Sequence, residues 1–109
     1  MNEISEIQSM IRAFCNERDW SQYHNGKDLA LALSIESAEI NELFLWKNPK
    51  DVRVADLKNE LADVLYYALL LASHYNLDVK DIIENKLKLN AEKYPIEKSK
   101  GTAKKYTEL

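Results

Sequence analysis

The sequence predicts an all-α fold, and three observations carry that prediction. Only two Gly and two Pro occur in 109 residues, which leaves few positions for turns. Leu, Ala, Glu and Lys, all good helix formers, are frequent. Apolar residues recur at three- and four-residue steps through most of the chain. At this length one core and one domain are expected.

The first helix is expected over Asn2 to Arg18, where Ile4, Ile7, Ile11 and Phe14 form one apolar face for packing. Asp19 to Lys27 reads as a loop, with the turn pair Asn25-Gly26 and the aromatic residues Trp20, Tyr23 and His24. A second helix is expected from Asp28, as N-cap, to Trp46, ended by Asn48-Pro49. Leu29, Leu33, Ile40 and Leu43 make its stripe, and Glu36 falls within that stripe where a leucine would be expected.

The third helix, Val52 to Tyr75, is apolar nearly all round from Leu61 to Ala72, so burial on more than one side is expected, with a partner subunit as one cover. Asp63 is the one charge in that stretch. The fourth helix starts at the N-cap Asp78 and stops at Tyr94-Pro95. Its stripe runs Val79, Ile82, Ile83 and then turns polar and positive with Lys86, Asn90 and Lys93. The expected organisation is a helical domain over residues 1–95, followed by a basic extension over 96–109 with Gly101 as a breaker.

Composition excludes several function classes. The formal charge of −3 lacks the basic balance that counterion release on a nucleic-acid polymer calls for. A single cysteine, Cys15, rules out an intrachain disulfide or a multi-thiolate metal site. The longest uncharged apolar run, Val64 to Ala72, is too short to span a bilayer and no leader pattern opens the chain, so a cytoplasmic protein is expected.

Glu36 and Glu39 lie three apart on the second helix, and Glu60 and Asp63 three apart on the third. Each pair projects from nearly one direction, and antiparallel packing of the two helices would gather all four. Acids at this spacing are commonly a solvated face, but Glu36 and Asp63 sit among apolar neighbours, where unpaired charge is costly. A bound cation relieves that cost. An all-oxygen set that also holds phosphates suits Mg²⁺, with Mn²⁺ able to substitute. A di-iron bundle would add Glu-x-x-His pairs, and neither His24 nor His74 follows a Glu by three. Lys86, Asn90 and Lys93 could donate to phosphate oxygens. Trp20, His24, Trp46 and Tyr67 could stack on or fence a base, although each aromatic taken singly reads as core.

These patterns are similar to those of the MazG-like all-α nucleotide pyrophosphohydrolases. The resemblance rests on Glu36-x-x-Glu39 followed about twenty residues later by Glu60-x-x-Asp63, and on the segment ERDWSQYHNGKDLALALSIESAEINELFLWK. The block ELADVLYYALLLA, the string Lys86-x-x-x-Asn90-x-x-x-Tyr94-Pro95 and the ending KYTEL extend it over nearly the whole chain from Phe14 and resemble the branch that acts on dCTP. The resemblance implies a four-helix subunit that assembles as a dimer or a tetramer of paired dimers. It implies Mg²⁺ on Glu36, Glu39, Glu60 and Asp63, the base near Trp20, His24, Trp46 and Tyr67, and the sugar and phosphates near Lys86, Asn90 and Tyr94. Two positions depart from the family pattern: Ala38 stands where Gly is frequent, and Lys93 where Arg is common, which loses a bidentate fork.

The expected reaction is hydrolysis of dCTP, or a related pyrimidine deoxynucleotide, between the α and β phosphates by a metal-activated water, with Lys86 and Lys93 offsetting phosphate charge. A carboxylate of the cluster, Glu39 among them, is the candidate to take the water's proton. Two alternatives stand beside it: a broader nucleotide or dUTP pyrophosphatase, and a non-enzymatic helical interaction protein whose acids pair with Lys86 and Lys93.

Overall fold

The computed structural model describes residues 2–109, and among them every regular element is helical. Helix α1 spans Glu3–Glu17, α2 Gly26–Phe44, α3 Val54–His74, α4 Val79–Lys93 and α5 Ile96–Ser99, with 3-10 turns at Ser21–Tyr23, Pro49–Asp51 and Tyr106–Glu108. The chain divides into two compact units, Met1–Leu77 and Asp78–Leu109.

In the first unit the helix starts are set by side chains that satisfy otherwise orphaned N–H groups. Asn2 and Ser5 cap one another: Ser5 N–H donates to Asn2 Oδ1 at 2.8 Å, and Asn2 N–H to Ser5 Oγ at 3.1 Å. Helix α2 begins earlier than expected, because Asn25 rather than Asp28 is its cap; Asp28 N–H donates to Asn25 Oδ1 at 2.9 Å. Gly26 permits this start, since a Cβ there would run into the Tyr75 phenol. The helix ends at Phe44, two residues short of Trp46, whose φ of +63° cannot continue it.

Helices α2 and α3 form the main packing pair of this unit and run antiparallel: Leu29 shares a core with Leu70, and seven residues on, Glu36 lies beside Glu60 and Asp63. The core is small. Cys15, Leu29 and Leu70 are buried at its centre, with Ile11, Tyr66, Tyr67 and Leu71 against them. Full burial of each leucine contributes about 1.5–3 kcal/mol. Helix α1 is tied to α3 by polar links, from Gln8 Nε2 to the Leu69 carbonyl (3.3 Å), from Arg12 Nη1 to Ser73 Oγ (3.3 Å) and between Cys15 Sγ and Tyr66 Oη (3.0 Å).

Many apolar side chains remain outside this core. Leu31 and Ile35 on α2, and Leu61 and Leu65 on α3, are about half exposed, each pair one turn apart. No helix among the described residues is long and apolar enough to cross a membrane.

In the second unit Asp78 caps α4 as expected, accepting from Asp81 N–H at 3.0 Å, and Tyr94 ends it before Pro95. The segment after Pro95 holds α5, a turn through Gly101 at φ +82° and the final 3-10 turn. Tyr106 from that turn meets Tyr94 edge-on, 6.0 Å between ring centroids, and Lys93 Nζ lies 4.9 Å above the Tyr106 ring. Aromatic and cation–π contacts thus fasten the chain end to the end of α4.

Candidate functional site

The i, i+3 spacing of acids on α2 and α3, together with antiparallel packing, brings the carboxylates of Glu36, Glu60 and Asp63 together. One oxygen from each lies within 4.8 Å of the others. Glu39 lies against the same cluster, and its carboxyl is the leading cause of the raised pKa of both Glu36 and Glu60 through side-chain hydrogen bonding. Three of the four expected acids thus meet directly, and Glu39 acts on two of them.

Such a cluster is electrostatically frustrated. Glu36 is pushed up to about 7 from an ordinary 4.5, by the hydrogen bond with Glu39, by partial burial, and by repulsion from Glu39, Asp63 and Glu60. Glu60 is raised for the same reasons, with Glu42 adding to the repulsion. Oε2 of Glu36 and Oε2 of Glu60 are shut off from solvent with no hydrogen-bond partner. Buried oxygens of this kind normally find donors. A hard divalent cation satisfies both the orphaned oxygens and the repulsion, so this donor set fits a metal ion.

Beside the acids opens a cavity of about 470 Å³. Glu36 and Asp63 line its polar side; Phe14, Trp20, Tyr66 and Tyr67, with Met10 and Ile11, make its wall. The rings meet edge to face in sequence: Trp20 on Phe14 (centroids 5.7 Å, 71°), Phe14 on Tyr66 (6.4 Å, 89°) and Tyr66 on Tyr67 (5.0 Å, 88°). Burial and the nearby carboxylates of Glu36 and Asp63 raise the Tyr67 phenol, which keeps it a hydroxyl donor at neutral pH.

Trp20 and Tyr67 thus line one cavity with the acids, whereas His24 and Trp46 do not. His24 lines a second cavity of about 220 Å³, with Arg12, Ser21, Ser73 and His74. Trp46 is 94% exposed in a left-handed backbone conformation, a rare setting for so bulky a residue. Lys86, Asn90, Lys93 and Tyr94 belong to the second unit, on α4 and its C-cap. The ion pairs among the described residues join Arg18 to Glu17, Lys27 to Asp28, Arg53 to Asp56 and Lys80 to Glu84. Lys86 and Lys93 take part in none of them.

Phe14, Tyr66, Met10 and Ile11 were not anticipated as cavity residues. Ile11 and Phe14 belong to a regular helical stripe, which reads as packing, and Tyr66 stands in an apolar run beside Tyr67. The available signal was the position of Phe14 at the end of its stripe, directly before an aromatic loop.

A family model described as the MazG-like family matches residues 31–109. Relatives named dCTP pyrophosphatase 1 align over 97% of this chain and 67% of their own length, at 37% identity in Mus musculus and 34% in Homo sapiens. Among solved structures, a pyrophosphatase from Archaeoglobus fulgidus DSM 4304 superposes with a TM-score of 0.81 at 32% identity, covering 87% of this chain and 94% of the other. Acids gathered on α2 and α3, an all-helical fold and these likenesses agree: the chain belongs to the MazG-like family.

Proposed function

We propose that the chain is a nucleotide pyrophosphohydrolase that cleaves dCTP, or a closely related pyrimidine deoxynucleotide, to the monophosphate and pyrophosphate. The observation that carries the reading is the pair of buried, partnerless carboxylate oxygens on Glu36 and Glu60, next to an aromatic cavity. The names of the mammalian relatives supply the substrate.

Glu36, Glu39, Glu60 and Asp63 are the residues that would hold Mg²⁺, or Mn²⁺ in its place. Held there, the ion supplies Lewis-acid polarisation of phosphate oxygens and a water acidic enough to act as nucleophile. The protein's own groups do the rest. The cluster marks the polar side of the cavity, where the triphosphate would lie once a cation offsets the carboxylates, while Trp20 and Tyr67 give the base flat faces to stack against. Glu39 is our candidate acceptor for the proton of the attacking water. Lys86, Lys93, Asn90 and Tyr94 are proposed to meet the phosphates and sugar; Lys93, as a single ammonium, contributes charge rather than a fork.

His24 and Trp46 remain base-side candidates, and we assign them to a site completed by a second copy of the chain. The strained, exposed Trp46 and the half-exposed pairs Leu31/Ile35 and Leu61/Leu65 favour a homo-oligomer, a dimer or a tetramer. Within this reading the catalytic unit is residues 1–95, with 96–109 a basic extension.

The test is pyrophosphate release from a panel of deoxynucleoside triphosphates with and without Mg²⁺, with Glu36→Gln as control. Release that needs Mg²⁺ and is fastest with dCTP supports the reading. Equal release from dUTP or purine nucleotides would favour the broader pyrophosphatase, and no release from any nucleotide would overturn the enzyme assignment.

A further inference from the structure

The four rings of the cavity wall stand in a row in which Phe14 and Tyr66 each meet two others, and Phe14 is the one that meets Trp20. Phe14 is the ring that both Trp20 and Tyr66 meet edge to face, at 5.7 and 6.4 Å between centroids. Tyr66 is in turn held from behind, its hydroxyl 3.0 Å from the buried Sγ of Cys15. Trp20 is held differently. It precedes a short 3-10 turn in the loop between α1 and α2, and its own side chain makes no hydrogen bond among those of the described residues. The loop returns to α1 here through Trp20 N–H, which donates to the Cys15 carbonyl at 3.0 Å, and through the neighbouring Ser21 Oγ, which donates to Asn16 Oδ1 at 2.6 Å. These bonds fix the Trp20 backbone but leave its side-chain torsions free. The Phe14 ring is the aromatic contact that selects among them.

Phe14 is itself unusually well fixed for a residue 41% exposed. The Arg18 guanidinium lies 3.7 Å from its ring centroid, and Arg18 Nη1 donates to the Phe14 carbonyl at 3.0 Å, one helical turn away. A cation over the ring and a hydrogen bond to the same residue's backbone form a local clamp. The clamp joins α1 to its C-cap Arg18 and acts on the loop, all of which precede the segment that the family model matches.

We infer that Phe14, clamped by Arg18, is a positioning residue that sets the indole of Trp20 for stacking on the base, and so determines nucleotide affinity without touching the phosphates. This rests on the proposed function, in which Trp20 is a base-stacking ring. An edge-to-face pair is worth a factor of roughly two to ten in an equilibrium constant, and loss of the orientation it imposes should appear in base binding.

The experiment compares Phe14→Leu and Phe14→Tyr for dCTP hydrolysis, for competitive inhibition by inorganic tripolyphosphate, and for tryptophan emission. Tripolyphosphate offers the phosphate part of the substrate without a base. Emission is read in a Trp46→Phe background, where Trp20 is the sole tryptophan. Phe14→Leu is expected to raise KM for dCTP roughly five- to tenfold with kcat little changed and tripolyphosphate inhibition unaltered. It should also make Trp20 emission redder and more easily quenched by acrylamide. Phe14→Tyr, which keeps the ring, should restore wild-type behaviour in each. Parallel weakening of dCTP and tripolyphosphate would show general damage to the fold and overturn the inference, as would Trp20 emission indifferent to Phe14→Leu. If the wild type hydrolyses no nucleotide, the proposed function fails, and the emission arm alone decides whether Phe14 sets Trp20.

Discussion

The two sides of the cavity are built on opposite principles. On the carboxylate side like charges are forced together, two oxygens have no partner and Glu36 is pushed up to about 7. On the aromatic side the rings support one another: rings meet edges, Tyr66 has Cys15, and Arg18 caps Phe14. One side is incomplete without a cation; the other already has its rings packed on one another. The difference teaches that the acids should behave as a unit whose loss is nearly total, whereas the rings should behave as graded contributors.

The sharpest way to break that contrast is to neutralise one acid. Glu36→Gln and Asp63→Asn each remove a charge from the group of ligands while keeping its shape. Metal catalysis supplies several kcal/mol of transition-state stabilisation, so turnover should fall by about a thousandfold or more. Circular dichroism should remain helical, because the same change relieves repulsion. Full activity in both variants would show that the cluster is not the catalytic centre.

Trp20→Ala tests the other side. Stacking of a base on an aromatic side chain is worth about 1–3 kcal/mol, so KM for dCTP should rise by roughly 5- to 150-fold with the metal requirement intact. A collapse of kcat as large as that of the acid variants would erase the distinction between the two sides.

The frustration of the acids also has a pH signature. Glu36 has a folded-state value of about 7 against 4.5 for the ordinary group, so the fold favours its protonated form. That contribution is fully present below about 4.5 and is lost as pH rises through about 7. In EDTA, thermal stability should therefore decline across this window, and Mg²⁺ should restore it most at the alkaline end, where the ligands are ionised. Melting temperatures at pH 5 and pH 8, each with and without Mg²⁺, check this; a metal-free protein more stable at pH 8 would contradict the raised value.

The acid side was legible in the sequence and the aromatic side only half so, for a physical reason. A carboxylate among leucines violates the expected pattern, so Glu36 and Asp63 announce themselves, and the helical period then predicts which neighbours join them. Aromatic residues violate nothing: Phe14 on a packing stripe looks the same whether it faces a core or a cavity. Trp20 and Tyr67 were found through the loop and the acid beside them, while His24 and Trp46, equally suggestive as residue types, lie outside this cavity in the single chain. The start of α2 was misplaced by a similar ambiguity, since Asn25 and Asp28 are both good caps and only the packing of Tyr75 against Gly26 decides between them.

The smallest expected effect is the most discriminating test of the aromatic side. Tyr66→Phe keeps the ring, with its edge-to-face contacts to Phe14 and Tyr67, and removes only the hydroxyl that meets Cys15 Sγ. Because burial and Cys15 push the Tyr66 phenol well above its ordinary value, it stays neutral, and what is lost is one neutral hydrogen bond. Stability should fall by about 0.5–1.5 kcal/mol, read from the urea midpoint at constant slope. Neither kcat nor KM for dCTP should move, since a hydroxyl already engaged behind the wall has nothing to offer the base. A changed preference among pyrimidines in Tyr66→Phe would mean instead that the hydroxyl turns into the cavity when substrate arrives, and that the aromatic side, like the acidic one, is completed by its ligand.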